Sequence, residues 1–375
     1  MLAICAFSRF ESFSQTSEKW QIETVDNGEG KEAGAFSSLI VDRFGNLHLV
    51  YSDAAGTSLK YAFRKKESKT WDKTLVDASG GSFDAIAVDS HGWPHLAYNS
   101  PKQIGLHYAQ WNGKEWEKFL IDYVKTNREI SLQLDSHDYP RISYYRELFS
   151  DRRSAQSLKY ASFDGTTWFV QTVDHRNGTG RWNSLALDHE DRPHISYSIA
   201  SGFLGFATLD QAAWDHALVD FTDPVKTEAG KIDSKEKRHF DGNSSLAIGA
   251  DDQPRVAYIN TTDRTVEYSW KESDGWHQET VDTLVATGAE TDRVSLKLDR
   301  TGSPHVVYYD SGLGALKYAT HDKSGWHMET INDGNAGRYA SLSLMQNDEP
   351  YISYYTASGT ELHLAHRKSP DVPTK

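Results

Sequence analysis

Seven copies of one short pattern run through this chain, and the piece missing from the last copy stands at the opposite terminus. One copy reads Ser295-Leu-Lys-Leu-Asp299, then Pro304-His-Val-Val-Tyr308, then Leu316-Lys-Tyr-Ala319, then Trp326 to Ile331-Asn332. The first block recurs from Ser38, Ala85, Ser131, Ser184, Ser245 and Ser341. The tyrosine of the second block recurs as Tyr51, Tyr98, Tyr144, Tyr197, Tyr258 and Tyr354. The tryptophan of the fourth recurs as Trp71, Trp116, Trp168, Trp214 and Trp276. Copy seven has no such tryptophan after Leu364; Trp20-Gln-Ile-Glu-Thr-Val-Asp26 supplies it.

Each block alternates apolar and polar residues and is rich in Val, Ile, Tyr and Trp, which is strand chemistry. Links such as Asp299-Arg-Thr-Gly-Ser-Pro304 and Asn112-Gly113 are tight-turn sequences. Each copy is therefore a four-stranded antiparallel meander, repeating every 46 to 61 residues. Units of this size and strand number are propeller blades. A lone four-stranded sheet cannot cover both faces, whereas seven stacked around an axis can. The expected fold is all-β: a seven-bladed β-propeller whose N-terminal strand completes blade seven. The ring takes residues 20–366, leaving tails at 1–19 and 367–375.

A formal net charge of −13 argues against a nucleic-acid binder, which needs a basic footprint. No apolar run approaches the roughly 20 residues of a membrane span. The single cysteine, Cys5, excludes an internal disulfide. Leu2-Ala-Ile-Cys5 has a faint likeness to a bacterial lipoprotein box, with Ile before Cys a poor fit. The 1–19 tail reads either as a plain tail or as the remnant of an export signal. An extracytoplasmic or secreted monomer is the expectation, with a cytoplasmic site left open.

Function is sought where the copies diverge. His48, His95, His194 and His305 share one slot at the start of each second strand, off the axis, so a packing role is expected rather than a metal site. No calcium-loop spacing and no HExxH occurs, and no metal or cofactor is expected. The link entering each inner strand faces the channel mouth. Counting back two or three residues from the first-block serine finds Phe36, Phe83, Arg128, Arg181, Trp182, Arg293, Arg338 and Tyr339, with Glu129 and Asn243. Arginine forks suit carboxylate, sulfate or phosphate, and flat aromatic faces suit sugar rings. The competing reading pairs these arginines with Glu129, Asp84 and Asp292 to hold the loops. Two insertions fall on the same face: Arg146–Ser154 in blade three and Phe221–Asn243 before blade five.

The pattern Leu-x-Leu-Asp-x-x-Gly-x-Pro-His, then Leu-Lys-Tyr-Ala, then Trp, resembles repeats of bacterial secreted β-propellers and, more distantly, the sialidase-type (BNR) repeat group. The sialidase Asp-box is only echoed, at Ser273-Asp-Gly-Trp276 and Ser324-Gly-Trp326, so sialidase activity does not carry over. The expected function is binding of an anionic ligand, foremost an acidic oligosaccharide, at the mouth. A second expectation is a lyase or glycoside hydrolase acting on a uronate-containing glycan. In a lyase, arginine neutralises the carboxylate while Tyr145, His175, His239 or Tyr309 takes the proton. A hydrolase needs two carboxylates about 5–10 Å apart, with Glu129, Asp84, Asp310 and Asp53 as candidates. A protein-interaction scaffold is the third.

Overall fold

The computed structural model describes residues 19–28, 33–53, 56–100, 102–123, 126–150, 153–176, 178–199, 202–219, 242–287, 293–332, 334–356 and 361–367. The side chains of 83–84, 126–128, 148–150 and 153–155 stand outside that description. Within it the chain is all-β, with seven four-stranded antiparallel sheets in a ring. No helix is long and apolar enough to cross a membrane.

Six blades are consecutive meanders, and the seventh joins Ala336–Leu344, Pro350–Thr356 and Glu361–Arg367 to Trp20–Asp26. The closing strand pairs antiparallel with the last, Trp20 opposite Arg367 and Ile22 opposite Ala365. Trp20 is then 3% exposed, edge-on to Tyr318 of blade six at 5.3 Å between centroids. The same contact recurs between neighbouring blades as Tyr61–Trp116, Tyr108–Trp168, Tyr160–Trp214, Phe206–Trp276 and Tyr268–Trp326. Edge-to-face pairs of this kind add about 0.5–1.5 kcal/mol beyond the area buried. The repeat's aromatic residues thus weld one sheet to the next.

The second-block tyrosines are sealed, each 0–1% exposed. A buried hydroxyl needs a partner, and here it is the acid that ends the previous blade's outer strand. Tyr51 donates to Asp26 at 2.7 Å, Tyr98 to Asp77 at 2.8 Å, Tyr144 to Asp122 at 2.7 Å, Tyr197 to Asp174 at 3.1 Å and Tyr308 to Asp282 at 2.7 Å. At Tyr354 the polarity reverses, and Asn332 Nδ2 donates to the phenol at 3.2 Å. Burial pushes the Asp26 carboxyl up. The Tyr51 hydroxyl, the Gly28 N–H and the Lys60 and Lys73 ammoniums outweigh it, so its pKa falls below the usual value. Asp77 and Asp174 are lowered in the same way.

Serines of the first block make a second set of latches nearer the axis. Ser131, Ser184, Ser245, Ser295 and Ser341 accept the backbone N–H of Leu185, Leu246, Leu296, Leu342 and Leu39 in the next blade at 3.0–3.1 Å. An inner strand has no pairing partner on its channel side, so these hydroxyls satisfy donors that would otherwise go unpaired.

The shared-slot histidines serve their own blades. His48 bridges Asp42 (3.1 Å) and Tyr61 (2.7 Å), and His194 bridges Asp188 and Thr208, each at 3.0 Å. They do not converge, as the off-axis slot implies. The blade-three insertion differs from a rim loop: it extends two eleven-residue strands, Pro140–Ser150 and Arg153–Phe163, paired through to Ser150 opposite Arg153. Alternation carried on past the repeat length, and the hairpin lengthened with it.

Deleting residues 1–27 removes the closing strand, Trp20 and the acceptor of Tyr51. The expected result is a lower melting temperature and lost cooperativity in thermal denaturation, with deletion of 1–15 nearly silent. A 1–27 deletion that melts like the parent contradicts closure. Tyr98→Phe should cost about 1.5–3 kcal/mol in urea denaturation near neutral pH, the range for a hydrogen bond to a charged group. Asp77 has a folded pKa below its unfolded value, so its contribution is full above the unfolded pKa and fades as pH falls through the folded one. The Tyr98→Phe deficit should therefore shrink only below about pH 4.

Candidate functional site

One end of the channel is shaped by a repeated irregularity. Where the inner strands of blades one, two, three, four and seven begin, the ladder slips just before the first-block residue. At this bulge Phe36, Glu129, Trp182 and Tyr339 hold positive φ of 56°, 64°, 55° and 55°. Bulky residues seldom adopt this region, and a bulge re-aims the side chain it carries. The link just ahead runs hard against the preceding blade. A Cβ at Gly180 (φ +108°) would lie 2.8 Å from Leu158 Cα, and one at Gly337 (φ +136°) 2.7 Å from the Tyr309 ring. Glycine there lets the chain pass close enough to enter the bulge.

Neighbouring blades hold these strained residues in place. Trp182 N–H donates to Glu129 Oε2 at 2.5 Å, and Asn183 Nδ2 donates to Glu129 O at 3.0 Å. Ser244 Oγ donates to the Trp182 carbonyl at 2.9 Å, and Ser37 Oγ to that of Tyr339 at 3.3 Å. Backbone strain of this kind persists only where surrounding contacts over-determine it, and it clusters at ligand clamps.

The candidate residues divide. Phe36, Tyr339, Arg181, Arg293 and Arg338 are half-buried, and Trp182 is 7% exposed. Phe36 and Tyr339 meet at 4.7 Å, and the Arg293 guanidinium lies 5.1 Å from the Tyr339 ring centre. Blades six, seven and one therefore share one aromatic–cation cluster. Arg181 in blade four and Arg338 in blade seven make no ion pair among the described residues, and their buried Nε–H groups have no acceptor there. Glu129 turns to the Trp182 backbone rather than to Arg181. The side chains of Phe83, Asp84 and Arg128, and Asp292 entirely, lie outside the described residues.

Of the proton-transfer candidates, Tyr145 is 3% exposed, and Tyr309 is 2% exposed with its hydroxyl on Asn335 Oδ1 at 3.0 Å. His175 is exposed, and His239 lies outside the described residues, as does most of Phe221–Asn243. The acids are engaged separately. Asp53 accepts from Thr57 and Ser58, Asp310 is buried 3.6 Å from Lys317 Nζ, and Glu129 holds Trp182.

A second concavity was missed in the sequence. Between blades one and two, on the opposite end of the ring from the bulges, a groove of about 310 Å³ is lined by Trp93, Trp111, Trp116, Phe63, Tyr61 and His48, among others. Trp93 is 41% exposed. Trp93 and Trp111 occupy slots that hold no tryptophan in most other copies, the same signal that marked Trp182.

No family model matches the chain, and no curated protein matches it. Solved structures do match in fold. A protein of unknown function from Dyadobacter fermentans DSM 18053 superposes with a TM-score of 0.55 at 10% identity, covering 94% of this chain and 100% of that one. AofleA from Arthrobotrys oligospora gives 0.53 at 17%, covering 84% and 92%. The fucose-specific lectin from Aleuria aurantia gives 0.52 at 13%, covering 81% and 98%. At such identities the likeness is one of architecture, and what the chain shares with these proteins is the fold.

Proposed function

We propose that this propeller is a carbohydrate-binding protein and that its bulged mouth takes an acidic oligosaccharide. The observation that carries the reading is the pair Arg181 and Arg338. Both hold buried, unpartnered donors among the described residues, beside Trp182 and Tyr339, in a chain of net charge −13. Blades four and seven stand across the ring from each other, so one ligand meeting both must be extended. Arginine takes the carboxylate or sulfate through paired N–H donors, and the half-buried aromatic rings meet sugar faces. Among proteins of similar architecture, the Aleuria aurantia lectin is fucose-specific. A glycan ligand fits a protein that works outside the cytoplasm.

The groove at Trp93, Trp111 and Trp116 supports a second reading, an apolar cradle for a neutral sugar ring. Its volume sits at the lower end of small-ligand pockets, roughly 300–1,000 Å³. Binding without turnover is favoured over lyase or hydrolase chemistry, since Tyr145 and Tyr309 are sealed and the described candidate acids, Asp53, Asp310 and Glu129, are separately engaged. A scaffold for a protein partner has no observation of its own.

A glycan array separates these readings. Arg181→Ala and Arg338→Ala should each weaken binding of acidic glycans by roughly tenfold to a hundredfold, the loss of one shielded charge-assisted contact. Binding unmoved by either, but abolished by Trp93→Ala, transfers the site to the groove. Incubation with acidic polysaccharides should yield neither new unsaturated ends nor new reducing ends. A signal removed by His175→Ala would make the protein an enzyme.

A further inference from the structure

The channel below the mouth is a cavity of about 230 Å³ walled by all seven inner strands. That is well above the roughly 10–15 Å³ one water needs. Two positions past the first-block residue the strands present Ile40, Ala87, Gln133, Ala186, Ala247 and Ser343, all neutral, and in blade six Lys297. Lys297 lines the cavity. Solvent in the lumen reaches its side chain, yet protein surrounds it on every side, and that desolvation lowers its pKa. It makes no ion pair or hydrogen bond among the described residues.

Two further features set its surroundings. Among the described side chains no carboxylate lines the cavity, in a chain carrying 53 acidic residues. The side chain of Asp84 is outside that description. The latch serines Ser131, Ser184, Ser245, Ser295 and Ser341 also line it. Their oxygens accept backbone N–H groups, and a hydroxyl that accepts can still donate its proton. The lumen therefore offers the Lys297 ammonium, the Arg293 guanidinium and a ring of O–H donors, with no carboxylate among the described side chains to meet them. Cations gathered in a narrow lumen with no described carboxylate raise the local concentration of small anions.

We propose that the central channel is a binding site for a small oxyanion of the sulfate or phosphate class, held by Lys297 and the latch-serine hydroxyls. The site shares Arg293 with the mouth but needs neither Arg181 nor Arg338, and it does not depend on the glycan reading. Isothermal titration of the full chain with sulfate, phosphate and acetate, at constant ionic strength in chloride, reads it. Saturable binding of sulfate or phosphate is expected, with acetate weaker. In a chain carrying Arg181→Ala and Arg338→Ala, which removes the mouth as a competing sulfate site, saturable binding should persist; in that background Lys297→Met and Lys297→Gln should weaken it about tenfold or more, and Lys297→Arg should retain it. Crystals of the unaltered protein soaked in selenate should show an anomalous peak within hydrogen-bond reach of Lys297 Nζ, a test independent of how the variants fold. No saturable binding, equal binding by the Met and Gln variants, a loss caused by the mouth variants, or no selenate peak at Lys297 would each overturn the proposal.

Discussion

The ring depends on one bond repeated between blades, the buried phenol of a second strand donating to the acid that ends the previous outer strand. Burial makes it strong and makes it obligatory. Burial and the neighbouring carboxylate push the Tyr51 hydroxyl well above the usual phenol range, so it stays a donor. Its partner Asp26 is held below the usual carboxylate range, so it stays an acceptor. At these five junctions each blade completes its neighbour's polar satisfaction, and a lone blade could satisfy neither group. The N-terminal strand closes the ring because it brings Asp26 to Tyr51 as well as a ladder to the last strand.

The same economy explains the repeat's small residues. The first-block serine reads in sequence as an unremarkable strand polar residue. In the ring it caps the neighbour's N–H, because inner strands converge without pairing. Blade two has Ala85 in that slot and has no such hydroxyl to offer blade three. The shared-slot histidine ties the acid just after the inner strand to a third-strand hydroxyl, Tyr61 for His48 and Thr208 for His194, so its repetition follows the blade's packing.

The residues that diverge between copies gather where the repeat is relaxed. Five inner strands begin in a bulge, while the described strands of blades five and six begin at Ser244 and Val294 without one. The bulge places large residues in left-handed backbone, and the next blade's serine or the preceding blade's glutamate holds them there. Mouth and channel are continuous but differently built: the mouth by strained, divergent residues, the lumen by the regular repeat with two charged exceptions among the described side chains, Arg293 and Lys297. The chain's net charge is −13, while Arg181, Arg293, Lys297 and Arg338 gather at the axis.

Sequence alone determined the fold, because the fold is a consequence of period. Seven copies, two-residue alternation and a displaced fourth strand admit one closed arrangement, and the tryptophan slot located Trp20 in blade seven. Divergence between copies also singled out Phe36, Trp182, Arg181, Arg338 and Tyr339 as neighbours at one end. Tertiary structure decided which groups face each other across blades, since those pairs are far apart in sequence and follow no local spacing. Asp26 and Tyr51 read as two unrelated repeat positions until the sheets stack. Lys297 reads as an ordinary exposed strand lysine until seven strands enclose it. Tyr145 reads as a reachable base until its neighbours bury it. The extended blade-three hairpin, and the groove that brings Trp93 to Trp111 and Trp116, likewise depend on how strands continue and sheets abut. Period is encoded along the chain, whereas enclosure is a property of the closed ring.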